Sequence, residues 1–264
     1  MEVICYACGR GEFPENTLEA IQNCQSINPE WRIEMDLQLT KDRQIILFHD
    51  EHTDRTTGHQ SLIADLNLEE LQQLNAGYNF EKDGAFPFRE AKIQVPTLRQ
   101  VFETYPVIKV LLDVHTADLA AVPLIIDLVE DYDMANQVVI VSKYDDMVDA
   151  FKASKPDWNY GAATVEVKKL IYSSFLRLDA LFALKSDILM ISVKFGKMTV
   201  LTPRIIRHAK KGNKKIWAWM EEGERVKTVE NKAEVSVLEE LGATGFFTEY
   251  PKAIKGLWTS DERP

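Results

Sequence analysis

The 264-residue chain carries 31 basic and 41 acidic side chains, a formal net charge of −10, and 45% hydrophobic residues. This is an ordinary soluble composition, and its acidity argues against nucleic acid and anionic membrane surfaces as general partners while leaving room for a local cationic patch that holds a phosphate. No apolar run approaches the ~20 residues of a membrane-crossing helix and no basic-then-apolar leader opens the chain, so neither membrane insertion nor secretion is expected.

In chain order, Glu2 to Tyr6 reads as a strand and Glu15 to Ser26 as a helix with Pro14 near its start. Trp31 to Thr40 and Gln44 to Phe48 form a strand pair around the Lys41-Asp42-Arg43 turn. A polar interval follows, with short helices at Leu68 to Leu74 and Thr97 to Tyr105. Strands are then predicted at Lys109 to Val114, Gln137 to Ser142, Asn159 to Ala163, Asp187 to Val193, Lys215 to Met220 and Gly245 to Thr248. Helices fall between them, near Ala117 to Glu130, Asp145 to Ala153, Val167 to Leu184, Pro203 to Lys210 and Arg225 to Leu241. About eight strand–helix units in one domain spanning 1–264 point to an α/β fold of the (β/α)8 TIM-barrel type. A doubly wound open sheet uses the same alternation, and pattern alone leaves it open.

Cys5, Cys8 and Cys24 are an odd set near one end, which suits free thiols in a reducing compartment, and a cytoplasmic location is expected. Cys5 and Cys8 form a C-x-x-C, but no second pair completes a zinc site.

The chemistry concentrates between Arg32 and Gly58. Glu34 and Asp36, two apart in a strand, leave by the same face, and two converging carboxylates call for a cation or a proton between them. His49 and Asp50 follow the apolar run Ile45 to Phe48, and imidazole exchanges protons near neutral pH. The segment therefore reads as a metal site with a titratable group beside it.

Glu34-x-Asp36, Thr40 to Asp42, His49 to Glu51 and Asp54 to Thr57 together resemble the motifs of the glycerophosphodiester phosphodiesterase family. Pro14-Glu15-Asn16-Thr17, Pro96-Thr97-Leu98, Trp219 and Gly245 to Pro251 extend the resemblance over nearly the whole chain. It implies the barrel, with an insertion at about 50–107 between the second and third units. It also implies hydrolysis of a small polar phosphodiester, such as a glycerophosphodiester or a sugar phosphodiester. Glu34, Asp36 and Asp113 would hold Mg²⁺ or Ca²⁺, His49 would be an acid–base group, and Trp219 would line the substrate pocket.

The sequence departs from the family in one place above all. The His-Arg-Gly motif expected after the first strand is Tyr6-Ala7-Cys8, and no histidine precedes His49. Arg10 is the nearest guanidinium for a phosphate. Asp113 and His115 stand where the family has Glu and Lys, so His115 becomes a candidate for the missing imidazole or for the lysine's charge. A catalytically silent barrel that binds a phosphorylated ligand or a partner is the alternative reading. The oligomeric state stays open.

Overall fold

Strand alternation decides the architecture. In β2 (Arg32–Leu39), Ile33, Met35, Leu37 and Leu39 join the main apolar cluster together with helix residues such as Ile21, Phe102, Ile125 and Phe151. Glu34 and Asp36 must then leave by the opposite face. That opposite face belongs to a second cluster, built from Ile4, Leu111, Val139, Val141, Ile188, Trp217 and Phe247. A parallel sheet buried on both faces, with helices outside, satisfies this pattern.

The computed structural model describes residues 1–223 and 226–258. Its parallel strands are β1 (Glu2–Cys5), β2, β4 (Val110–Val114), β5 (Val138–Val141), β6 (Asn159–Tyr160), β7 (Ile188–Phe195), β9 (Lys215–Glu222) and β10 (Gly245–Thr248). They pair in the order β6-β5-β4-β2-β1-β10-β9-β7. The ring closes between β6 and β7 through a parallel bridge from Gly161 to Ile188. The Ala162 amide donates to the Ile188 carbonyl at 2.8 Å, and the Asp187 amide donates to that of Tyr160 at 2.9 Å. A Cβ at Gly161 would meet Met190 Sδ at 2.7 Å and Val141 Cγ2 at 3.1 Å, so a larger residue at the seam would have to displace Met190 and crowd Val141. The protein is a (β/α)8 barrel. Two antiparallel strands decorate it: β3 (Ile45–Leu47) on β2, and β8 (Met198–Thr199), which the sequence did not announce, on β7.

The helices are α1 (Leu18–Ile27), α2 (Asp54–Thr57), α3 (Leu68–Leu71), α4 (Leu98–Thr104), α5 (Ala121–Asp131), α6 (Asp145–Ser154), α7 (Thr164–Phe175), α8 (Pro203–Lys211), α9 (Lys232–Leu241) and α10 (Pro251–Trp258). Helix α1 starts later than expected because the Thr17 hydroxyl caps Ala20 N, while Asn16 takes a left-handed φ of 56°. Helix α7 stops short of the expected Leu184. There the chain reverses at Arg177 (φ 60°) and enters a 3₁₀ turn, Asp179–Leu181. Helix α9 starts after its Asn231 cap, and the expected start at Arg225 lies outside the described residues.

Between β3 and α4, the segment with α2 and α3 packs Ile63, Leu71, Ala76, Ile93 and Val95 against Ile46 and Phe48 in a cluster of its own. Helix α4, which the sequence reading included in the insertion, belongs to the barrel's helix layer through Leu98, Val101 and Phe102.

Because Leu37 is fully buried on the outer face of β2, Leu37→Ala should lower unfolding free energy by about 2–5 kcal/mol in urea titrations. The acids on the opposite face of the same strand should keep their ligand response.

Candidate active site

The register of the parallel sheet assembles the acids. Asp36 of β2 pairs directly with Asp113 of β4, so their side chains leave one face about 4.8 Å apart. Glu34 lies one pleat below Asp36. Oxygen atoms of Glu34, Asp36 and Asp113 all lie within 4.8 Å of one another. Glu34 and Asp36 are buried, at 3% and 2% exposure.

Burial, together with Asp36 and Asp113, holds the Glu34 carboxyl well above the usual carboxylate range, against the hydrogen bond that it accepts from the Ala7 amide. Asp36 is driven the other way. Burial opposes its ionisation, but His115, His49 and the Asn16 amide hold it below its ordinary value. Asn16 clamps Asp36 from both sides, donating from Nδ2 to Oδ2 at 2.7 Å and accepting from its backbone N–H at 3.0 Å.

His115, one residue beyond β4, places Nε2 3.0 Å from Asp36 Oδ1 and 3.4 Å from Asp113 Oδ2. Burial works against its charge, yet Asp113 and Asp36 prevail and push it up to about 11. It is a fixed cation beside the acids.

The His49 ring lies 4.5 Å from that of His115, centroid to centroid. Its Nδ1 is 2.7 Å from Asp50 Oδ1. Asp50 accepts from Arg55 Nε, and Arg55 closes the chain of contacts on both oxygens of Glu15. Although partial burial opposes it, the His49 and Arg55 bonds hold Asp50 down to about 2. This relay explains why Pro-Glu-Asn-Thr and Asp-Arg-Thr-Thr accompany the acids in sequence. Glu15 and Arg55 orient the histidine's support, Asn16 orients Asp36, and Thr17 caps α1. Sequence reasoning quoted both motifs but gave Glu15, Asn16, Asp50 and Arg55 no individual role.

At the altered motif, Tyr6–Cys8 forms a 3₁₀ turn in which Ala7 (φ 43°) and Cys8 (φ 61°) both adopt left-handed conformations. The backbone thus takes the strained path that brings the Ala7 amide onto Glu34. Burial and the nearby Glu34 and Asp36 push the Tyr6 phenol far above its ordinary range, which rules it out as a base at neutral pH. Arg10 stacks over the Tyr6 ring at 4.7 Å and pairs with Glu249 at 2.6 Å. Cys5, Cys8 and Cys24 are free and buried, and burial raises the Cys5 and Cys8 thiols, so neither of these two is an activated thiolate.

Glu34 and Asp113 open into a cavity of about 470 Å³. Tyr6, Glu34, Asp113, Trp219 and Phe247 line its inner part, whereas Val167, Ile171, Met190 and Val200 make the rest of it largely apolar. Phe247 is ringed edge-on by Tyr6, Trp217 and Trp219 at 6.3, 6.5 and 5.6 Å. Trp219 is therefore a wall of the cavity, and Trp217 is buried beneath it.

The donor set fits a hard divalent cation. Asp36, His49 and His115 also lie close enough to share an ion, but Glu34, Asp36 and Asp113 offer three carboxylates, and Asp113 Oδ1 is buried with no hydrogen-bond partner. Glu34, Asp36 and Asp113 are the residues that would hold such an ion.

Residues 9–253 match the sequence model of the Glycerophosphoryl diester phosphodiesterase family. The glycerophosphodiester phosphodiesterase of Caldanaerobacter subterraneus subsp. tengcongensis is 25% identical over 260 residues, 97% of this chain and 96% of its own. A glycerophosphoryl diester phosphodiesterase domain from Mycobacterium tuberculosis superposes with a TM-score of 0.80 at 16% identity, covering 97% of this chain and 98% of that one. An Oleispira antarctica phosphodiesterase, solved with its product sn-glycerol-3-phosphate, gives 0.74 at 20% identity, with 97% and 96% covered. Fold and site define a phosphodiesterase-type barrel. The chain belongs to the glycerophosphoryl diester phosphodiesterase family, and with it to the phosphoric diester hydrolases.

Asp50 titrates at about 2 when folded, below the ~3.9 of an unfolded aspartate. Its pairing therefore contributes stability in full above about pH 4 and loses it as pH falls toward 2. Urea unfolding of Asp50→Asn should show its largest deficit against the parent above pH 4, with the two converging in acid.

Proposed function

We propose that the protein hydrolyses a glycerophosphodiester-type substrate with the help of Mg²⁺ or Ca²⁺ held by Glu34, Asp36 and Asp113. One observation carries this reading: the three acids share the barrel mouth with a histidine whose ring is already oriented by a carboxylate relay. When bound, the cation would neutralise a phosphoryl oxygen and lower the barrier to in-line displacement at phosphorus.

The protein's own groups do the rest. With Nδ1 engaged by Asp50, His49 presents Nε2 for proton transfer, giving a proton to the leaving alkoxide or taking one from the attacking hydroxyl. His115 supplies the positive charge that a lysine supplies in the family pattern, and its ring packs on His49. Arg10, held on Tyr6 by Glu249, guards the phosphate end. Trp219 and Phe247 exclude water on the other side. Ser142, Lys143, Thr164, Lys168, Ser192 and Glu222 also line the cavity, but most of its wall is apolar, which favours a diester with hydrocarbon in one substituent over one that is polar throughout.

The silent-barrel reading is favoured by a different observation. Tyr6 stands at the position of the family's first histidine, and its phenol is no base. Turnover of glycerophosphodiesters with Mg²⁺ or Ca²⁺ separates the two. Hydrolysis by the unmodified protein, reduced about 10²–10⁴-fold in His49→Ala, is the expected result. If only Tyr6→His is active, the barrel is a binding protein.

Cation binding has its own readout. A free cation at about 100 times its Kd should stabilise the fold by ~2.7 kcal/mol, visible as a rise in Tm. Asp36→Asn and Asp113→Asn should each abolish most of that rise.

A further inference from the structure

One region of this acidic chain has the opposite character. Of the fourteen large apolar residues exposed among the described residues, eight fall between Val165 and Met198. Tyr172, Phe195 and Met198 form the outer rim of the cavity, at 66%, 55% and 43% exposure. Phe175, the last residue of α7, and Leu176, its C-terminal cap, at 55% and 70%, follow Tyr172 by three and four residues and so continue the same helical face. The β7–β8 hairpin is closed by the pair Phe195 and Met198, with Gly196 (φ 54°) and Lys197 as its two-residue loop. It therefore lifts an aromatic ring, a thioether and a lysine into solvent together.

The charges are sorted by depth. Within 164–199 the six bases Lys168, Lys169, Arg177, Lys185, Lys194 and Lys197 are all exposed. The three acids are turned inward: Glu166 accepts from Ser186, Asp179 from Arg204, and Asp187 from the Tyr160 amide. Glu221 and Glu222 lie opposite Lys194 and Phe195 across the β7–β9 ladder, which still leaves six bases against five acids in a protein of net charge −10.

We propose that α7 and the β7–β8 hairpin seat the protein on an anionic phospholipid surface, with the cavity mouth facing that surface. Exposed apolar side chains bracketed by lysines match the two layers of such a surface, hydrocarbon below and negative headgroups above. A second copy of the chain meeting the same face would bring like charges together. The apolar rim is continuous with the cavity, so a phosphodiester with a hydrocarbon chain would pass from the lipid layer to the acids without crossing water. This goes beyond the proposed hydrolysis and stands apart from it.

Co-sedimentation of the full chain with vesicles tests the idea. Phosphatidylglycerol–phosphatidylcholine vesicles should bind the protein about tenfold or more tightly than phosphatidylcholine alone, and about 0.5 M salt should weaken the difference. Lys194→Glu with Lys197→Glu, and separately Phe175→Asp with Leu176→Asp, should each reduce binding about tenfold. Both double variants should retain the parent's Tm and its turnover of a water-soluble diester. The proposal fails if anionic vesicles leave the protein in the supernatant, or if neither double variant weakens binding. It fails equally if sedimentation velocity shows a dimer that Phe175→Asp with Leu176→Asp splits into monomers, because the face would then be a self-interface.

Discussion

Three carboxylates in one buried pocket repel one another, and the barrel is the frame that holds them there. The force comes from strand register: once β2 and β4 pair with Asp36 opposite Asp113, the acids have no freedom to separate. Everything around them answers that repulsion. The Ala7 amide turns onto Glu34, Asn16 grips Asp36, and His115 sits between Asp36 and Asp113 as a cation. Each of these contacts costs something elsewhere, most visibly in the left-handed backbone at Ala7 and Cys8.

That frame also accounts for the unusual combination of residues at the mouth. Where the family pattern offers a histidine, an arginine and a lysine, this chain offers Tyr6, Arg10 and His115. Tyr6 has become part of the aromatic wall around Phe247, and Arg10 is stacked on it and tied to Glu249. Positive charge is thus carried by Arg10 beside Tyr6 and by His115 beside Asp36 and Asp113. Beside the acids, His49 is anchored through Asp50 and Arg55 to Glu15.

Much of this was legible in sequence, for identifiable reasons. Period-two alternation placed the strands, and the Glu34-x-Asp36 spacing put both acids on one face, because those signals are local. The pairing of Asp36 with Asp113 was available only through the family pattern, since register is a property of two strands. The Asn16 clamp and the Glu15–Arg55–Asp50 relay bring together residues up to 40 positions apart, and no periodicity announces such contacts. The hairpin at Phe195 was hidden differently: β7 extends two residues past the expected Val193, because its last residues pair above the barrel rim, where burial does not dictate hydrophobic pattern. The early end of α7 at Phe175 has a similar origin, in a reversal at Arg177 that requires a left-handed residue without a glycine to advertise it.

The closure between β6 and β7 carries a mechanical consequence. Neighbouring strands elsewhere share ladders of two to seven residue pairs, but this junction rests on one bridge at Gly161 and two flanking amide bonds. It also borders the cavity, through Ala162 on one side and Met190 on the other. A cylinder strains first along its weakest seam, so the barrel's compliance is concentrated where the ligand space lies. The β2–β4 pair that carries the acids is held by a ladder of five residue pairs. A well-laddered strand pair thus fixes the charges, and the most thinly paired junction borders the space a ligand would take.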